Sequence, residues 1–332
     1  MSTSTSSSLN AGPTTVPGLP APVQSQPQVD ADTAVTGPAS PRRALVLGGG
    51  GSTGNAWLIG VIAGLFDAGL DVTTAELTVG TSAGSTAAAQ LACATPTELF
   101  DAIVASAPPE PADHVRSGRV GPGVRPVVDQ MERTGNIMNA STDMADMRRR
   151  LGAAAMDMAE AMEGSSARWR ATVATRLPQA QWPERTIVLT AVDARTGDPV
   201  TFHRHSGVDL VDAVAASCAS GFAYSIGSNH YIDGGYRANA ENADLAAGYA
   251  WVLVLAPFGG RTRTPLEWGM HLSGQVDALR ANGSQVETVF PNNESEHMFG
   301  VNAMDLSLRP SAARAGFQQG KVLAPQLADF WS

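Results

Sequence analysis

The chain of 332 residues carries 31 acidic against 22 basic side chains, a formal net charge of −9, and 43% of it is hydrophobic. That balance works against binding nucleic acid by counterion release and against attraction to anionic headgroups, so any lipid contact has to be mainly apolar. Cys93 and Cys218 are too few for a disulfide framework and read as buried free thiols, and no apolar run reaches the roughly 18 residues of a membrane span.

Residues 1–41 are rich in Ser, Thr, Pro, Gly, Gln and Ala and lack the apolar content to offset ordering entropy, which predicts a disordered tail. They show neither the basic n-region nor the apolar h-region of a secretory signal, so the expected location is cytoplasmic, peripheral to a membrane at most. The ordered unit is expected over 42–332. It opens with Ala44-Leu45-Val46-Leu47, a buried parallel strand running into glycines, and a helix from Asn55 to Leu70 with apolar residues at helical spacing.

Glu76-Leu77-Thr78-Val79 predicts the next strand, followed by a turn and an Ala-rich helix to Leu91. Thr95-Pro96-Thr97-Glu98 is a capping box that starts a further helix. Between about 108 and 183 the pattern is helical without strands, an insertion rich in methionine; these methionines read either as core or as an adaptable wall for acyl chains. Thr186–Val192 and Pro199–Phe202 predict a hairpin and Asp209–Ala219 a tightly packed helix. Strands follow at Tyr231-Ile232, Trp251–Leu255 and Gln285–Phe290, with helices over Pro265–Ala281 and after Pro310. The alternation predicts an α/β layer fold.

Two glycine motifs carry the chemistry. Gly80-Thr81-Ser82-Ala83-Gly84 is a G-x-S-x-G sequence between an apolar strand and a small-residue helix, a setting that thrusts a serine hydroxyl outward at a sharp turn. Gly48 to Gly54 follows the first strand, and successive glycines there expose N–H groups of the kind an oxyanion needs. Gly49, Gly51 and Gly54 also satisfy the dinucleotide fingerprint G-x-G-x-x-G, with Glu76 at about the spacing of a ribose carboxylate. Glu76 precedes its strand, however, whereas a ribose-binding carboxylate belongs at the strand's C-terminal end. His203, His205, His230, His271 and His297 lack convincing surroundings for a general base. Asp233 ends a strand and is followed by Gly234-Gly235, so it is the base candidate for Ser82.

In this order the glycine-rich loop, the G-x-S-x-G elbow and Asp233-Gly234-Gly235 resemble the patatin-like phospholipases over about residues 43–256, including Ala216-Ser217-Cys218-Ala219 and Asn242-Ala243-Asp244. The resemblance implies a three-layer α/β fold with a mostly parallel sheet and a lipid acyl ester as substrate. It also implies a Ser82–Asp233 dyad without histidine, an oxyanion hole from the N–H groups of Gly49, Gly50 and Gly51, and neither metal nor organic cofactor. Gly54, Gly80, Gly84, Gly234 and Gly235 support the motifs. Two departures stand out: Thr53 occupies a position usually basic in the family, and Ser220 to Ile226 lacks the usual prolines. A dinucleotide-binding protein and a catalytically silent lipid-binding relative are the alternatives.

Overall fold

The computed structural model describes residues 42–106 and 124–331, and the side chains of all these but 124–128. The expected tail over 1–41 and the first stretch of the expected insertion lie outside them. The centre of the fold is one eight-stranded sheet, in the order β5-β6-β3-β2-β1-β7-β8, with β4 paired to β3 off this path. Strands β1 (Arg43–Leu47), β2 (Leu77–Gly80), β7 (Trp251–Leu255) and β8 (Gln285–Val289) are parallel, and β3 (Ile187–Asp193) joins β2 in parallel. On the same side as β2 and beyond its end, β3 pairs antiparallel with β6 (Asn229–Asp233), itself in a hairpin with β5 (Tyr224–Ile226); β4 (Pro199–Phe202) is antiparallel to β3 along its other side.

Alternation along β1 sends its side chains into two cores. Leu45 and Leu47 face a large cluster with the helices of one layer, while Ala44 and Val46 face a smaller one with Val252, Val254, Leu272 and Val276. Helices therefore cover both faces, the arrangement parallel strands require. Helix α1 (Gly51–Asp67) is buried on nearly every side, because it lies between the sheet and the long C-terminal helix α9 (Arg309–Trp331). The two approach through glycines one turn apart on each helix. A Cβ at Gly60 would overlap the Ala313 carbonyl, one at Gly64 the Phe317 carbonyl, and one at Gly320 the Val61 carbonyl.

Helices α2 (Ala83–Leu91) and α3 (Pro96–Ala105) follow the second strand, α3 with its capping box formed by Thr95 and Glu98. Three helices without strands then precede β3: α4 (Val124–Ala140), α5 (Met144–Ala161) and α6 (Ser165–Ala174). Met138, Met144 and Met147 are buried there against Val192, Ala194 and Ile232, so these three fill a core. Two local expectations are corrected. The helix expected over Pro265–Ala281 is a 3-10 turn, Leu266–Trp268, and then α8 (Leu272–Ala281), separated by Gly269 in the left-handed region at φ 68°. The first helix also starts at Gly51, not Asn55, so half of the glycine loop is its first turn.

Candidate active site

Ser82 sits between β2 and α2 as the N-cap residue of α2, with φ 51° and ψ −113°, one of two non-glycine residues at positive φ among those described. Such a conformation persists only when the surroundings impose it. The flanking glycines are required by contact: a Cβ at Gly80 would lie 2.7 Å from the Ser85 Cα, and one at Gly84 would overlap the Leu47 carbonyl oxygen of β1. The turn is thereby pressed against the sheet with its hydroxyl outward.

Asp233 reaches the same place from the opposite direction. The β5–β6 hairpin, whose first strand is formed inside the proline-free segment, lies beyond the end of β2 on the same side of β3, and β6 returns antiparallel along β3 until Asp233 stands opposite Ala191. Leu189, two residues earlier on β3, stands opposite Gly80, so both residues arrive at one height on the sheet. The Ser82 hydroxyl donates to Asp233 Oδ2 at 2.8 Å, and the Gly235 N–H donates to Oδ1 at 2.8 Å. Gly234 is pinned against β3, where a Cβ would overlap the Thr190 carbonyl. Asp233 is 7% exposed, and burial raises its carboxyl from an ordinary 3.8 to about 6 against the lowering effect of those two hydrogen bonds.

The glycine loop passes beside this pair: a Cβ at Gly49 would sit 3.6 Å from the Ser82 Cβ. Its three expected donors are not equivalent. The Gly49 N–H donates to the Ala240 carbonyl at 2.7 Å and is therefore not available as an oxyanion donor, which corrects the expectation for that residue. The N–H groups of Gly50 and Gly51 have no partner among the described residues; they open α1, whose end attracts negative charge. Gly54 closes the first turn, donating to the Gly50 carbonyl at 2.9 Å.

Thr53 is buried, its hydroxyl donating to the Met298 carbonyl at 2.9 Å. A cation from far along the chain reaches the same turn: Arg309 donates to the Ser52 carbonyl at 2.8 Å and to Asn55 Oδ1 at 3.2 Å. Sequence reasoning missed this residue; only the packing of α9 on α1 reveals it. Glu76 points elsewhere. Its carboxylate accepts the Arg43 N–H at 2.7 Å, at the start of β1, whereas the glycine loop follows the end of that strand. The ribose carboxylate of a dinucleotide site is therefore absent from the loop, and that alternative loses its second element.

No histidine among the described residues is hydrogen-bonded to Ser82. His271 is hydrogen-bonded to Thr264, His297 to Glu294, and His203 to the His205 N–H. Sequence reasoning placed Asn242 in a motif but gave no role to the polar layer it forms beneath the pair. Asn242, in the left-handed region, donates to Thr81 Oγ1 and to the Gly234 carbonyl, both at 3.0 Å, and so ties the residue before Ser82 to the residue after Asp233. Beside it, Glu241 is wholly buried with neither carboxylate oxygen hydrogen-bonded among the described residues, and burial pushes it from 4.5 up to about 7. The Ser82 backbone is bonded on both sides by Ser217 and Cys218, at the end of α7 (Leu210–Ser217).

Among the described residues, no helix is long and apolar enough to cross a membrane. Among solved structures, the chain is similar to human GIVD cytosolic phospholipase A2 (TM-score 0.45, 9% identity), covering 88% of this chain and 59% of that one. It is similar also to VipD from Legionella pneumophila (TM-score 0.39, 11% identity), covering 87% and 67%, and to the type III effector protein ExoU (0.32, 16%), covering 85% and 54%. The chain thus spans about three-fifths of the length of the first of these. No curated protein matches it. The sequence model of the family described as patatin-like phospholipase matches residues 45–246, more than half of the chain and the stretch that holds the glycine loop, the Ser82 turn and Asp233. The chain belongs to the patatin-like phospholipase family.

Proposed function

We propose that the protein is a serine acyl hydrolase of lipid esters, with Ser82 as nucleophile, Asp233 as general base and the N–H groups of Gly50 and Gly51 as oxyanion donors. Family membership supports lipid ester hydrolysis. The observation that carries the finer reading is the 2.8 Å hydrogen bond from the Ser82 hydroxyl to a buried carboxyl held at about 6. A carboxylate at its ordinary value is a feeble base for a serine hydroxyl; partial desolvation strengthens it while leaving it ionised at neutral pH.

As the Ser82 oxygen bonds to the ester carbonyl carbon, its proton passes to Asp233 and the carbonyl oxygen takes the negative charge. Collapse of that intermediate breaks the ester bond, and Asp233 returns the proton to the departing alcohol. Water then attacks the acyl-enzyme in the same way, leaving free acid and the original Ser82 hydroxyl. Ser82→Ala should lower hydrolysis of a short acyl ester by roughly four to six orders of magnitude and abolish fluorophosphonate labelling, with the thermal transition retained. Wild-type turnover in that variant would overturn the reading. Unchanged acyl-chain binding with no turnover in either protein would favour the silent relative.

A further inference from the structure

A serine hydroxyl can hold one direction only if the peptide planes on either side of it are held. Around Ser82 both are held by consecutive residues at the end of α7. The Ser82 N–H donates to Ser217 Oγ at 3.0 Å, and the Ser82 carbonyl accepts the Cys218 thiol at 3.0 Å beside the Thr86 N–H of α2 at 3.2 Å. The third residue in line, Ala219, accepts the Asp233 N–H at 2.9 Å through its carbonyl. Three successive residues therefore bond the Ser82 N–H, the Ser82 carbonyl and the Asp233 N–H.

The bonds are braced from behind. Ser217 is fully buried, and its hydroxyl shares a 2.6 Å hydrogen bond with Ser85 Oγ, so it can accept from Ser82 while donating to the first turn of α2. The Cys218 sulfur is also 3.6 Å from Thr86 Oγ1 on the same helix. Burial, and then the charge of Asp233, push the Cys218 thiol up to about 12, so it keeps the proton that this hydrogen bond needs.

We propose that Ser217 and Cys218 are positioning residues for Ser82, and that 217–219 acts as a template fixing the nucleophile and the base at their reacting separation. The inference rests on Ser82 being the nucleophile. Without the template, the Ser82 turn can relax from its positive φ toward ordinary backbone, which swings the hydroxyl away from Asp233. Displacement of a reacting group by about 1 Å costs on the order of a hundredfold in rate.

The test compares Ser217→Ala, Cys218→Ala and Cys218→Ser in the full chain, with Ser82→Ala as control. The measurements are kcat and KM on a short soluble ester, the rate of fluorophosphonate labelling, the pH–rate profile and the melting curve. Ser217→Ala should lower kcat and the labelling rate together by about tenfold to a hundredfold. Its KM should stay within about twofold and the acid limb of its profile should be unmoved, because Asp233 keeps its surroundings. Cys218→Ala should lose several-fold in kcat, and Cys218→Ser, whose hydroxyl donates in place of the thiol, should recover it. The proposal is overturned if both alanine variants turn over at the wild-type rate, if Cys218→Ser fails to recover a Cys218→Ala loss, or if the losses lie in KM. Should Ser217→Ala not fold, the Cys218 pair decides alone. Retained turnover in Ser82→Ala would instead strike at the nucleophile assignment.

Discussion

Asp233→Asn is the substitution for which the structure makes the most demanding forecast, because it should cripple the protein as a catalyst and strengthen it as a fold. The carboxyl is raised from 3.8 to about 6 by burial, which means the folded state holds its proton more tightly than the unfolded state does. The stability contributed by the protonated form is fully present below about pH 3.8 and is lost as pH rises toward 6, after which the loss is constant. At about 1.4 kcal/mol for each tenfold change in proton affinity, the ionised group costs the fold about 3 kcal/mol at neutral pH. An asparagine keeps the shape, accepts the Gly235 N–H and donates to the Ser82 oxygen, but carries no charge to desolvate. Urea unfolding from pH 4 to 8 should therefore show the variant level with wild type at the acid end and about 3 kcal/mol more stable at pH 8. Ester hydrolysis should meanwhile fall by roughly 10⁴-fold. A variant no more stable at pH 8, or equally stabilised at both ends, would refute the burial argument and with it the account of how the base is tuned.

Glu241 should give a second loss of the same sign. Its folded value of about 7 lies above its ordinary 4.5, so stability falls as pH rises between them, and Glu241→Gln should flatten that part of the curve in the same titration. The wild-type kcat/KM should drop tenfold per unit below about pH 6, where Asp233 takes up a proton and can no longer act as base, and level off above it. Gly64→Ala should destabilise by more than about 2 kcal/mol in denaturant unfolding, since its methyl meets the Phe317 carbonyl on a helix that cannot yield locally. Met147→Ala, at a site 1% exposed, should cost about 2–5 kcal/mol while leaving relative rates on short- and long-chain esters unchanged; a shift toward short chains would restore the acyl-wall reading.

The layer architecture was legible because β1, β2 and β7 are short apolar runs ending at turns, and because a helix apolar on all sides, such as Trp57 to Leu65, can only be an inner one. The antiparallel return of β6 was not legible: β5 is three residues, Tyr224-Ser225-Ile226, too short to show a period, so nothing local reveals that Asp233 comes back along β3. The break at Gly269 hid inside an otherwise helical pattern for the same local reason, one residue in the left-handed region. In the site, motif order pointed to Ser82 and Asp233, and the structure places them in contact. Motif order could not tell which glycine amide is left unpaired, since that depends on whether Ala240, from a distant loop, takes the Gly49 N–H. The contacts of Ser217, a residue the sequence placed only within a motif, and of Arg309 were equally illegible, for they are fixed by how α7 meets α2 and α9 meets α1.

The embrace of α1 by α9 also bears on the order in which the molecule can be made. Ser52 and its Arg309 partner lie 257 residues apart, and the loop from Met298 to Ala303 that receives Thr53 is nearly as distant. A nascent chain that already contains the glycine loop and Ser82 therefore holds α1 with one apolar face uncovered until α9 has followed. Such long-range closure slows folding and leaves apolar surface exposed in the meantime. Gly50 and Gly51, whose N–H groups are proposed as oxyanion donors, precede and open that same helix, so they stand at the head of an element whose outer face α9 covers.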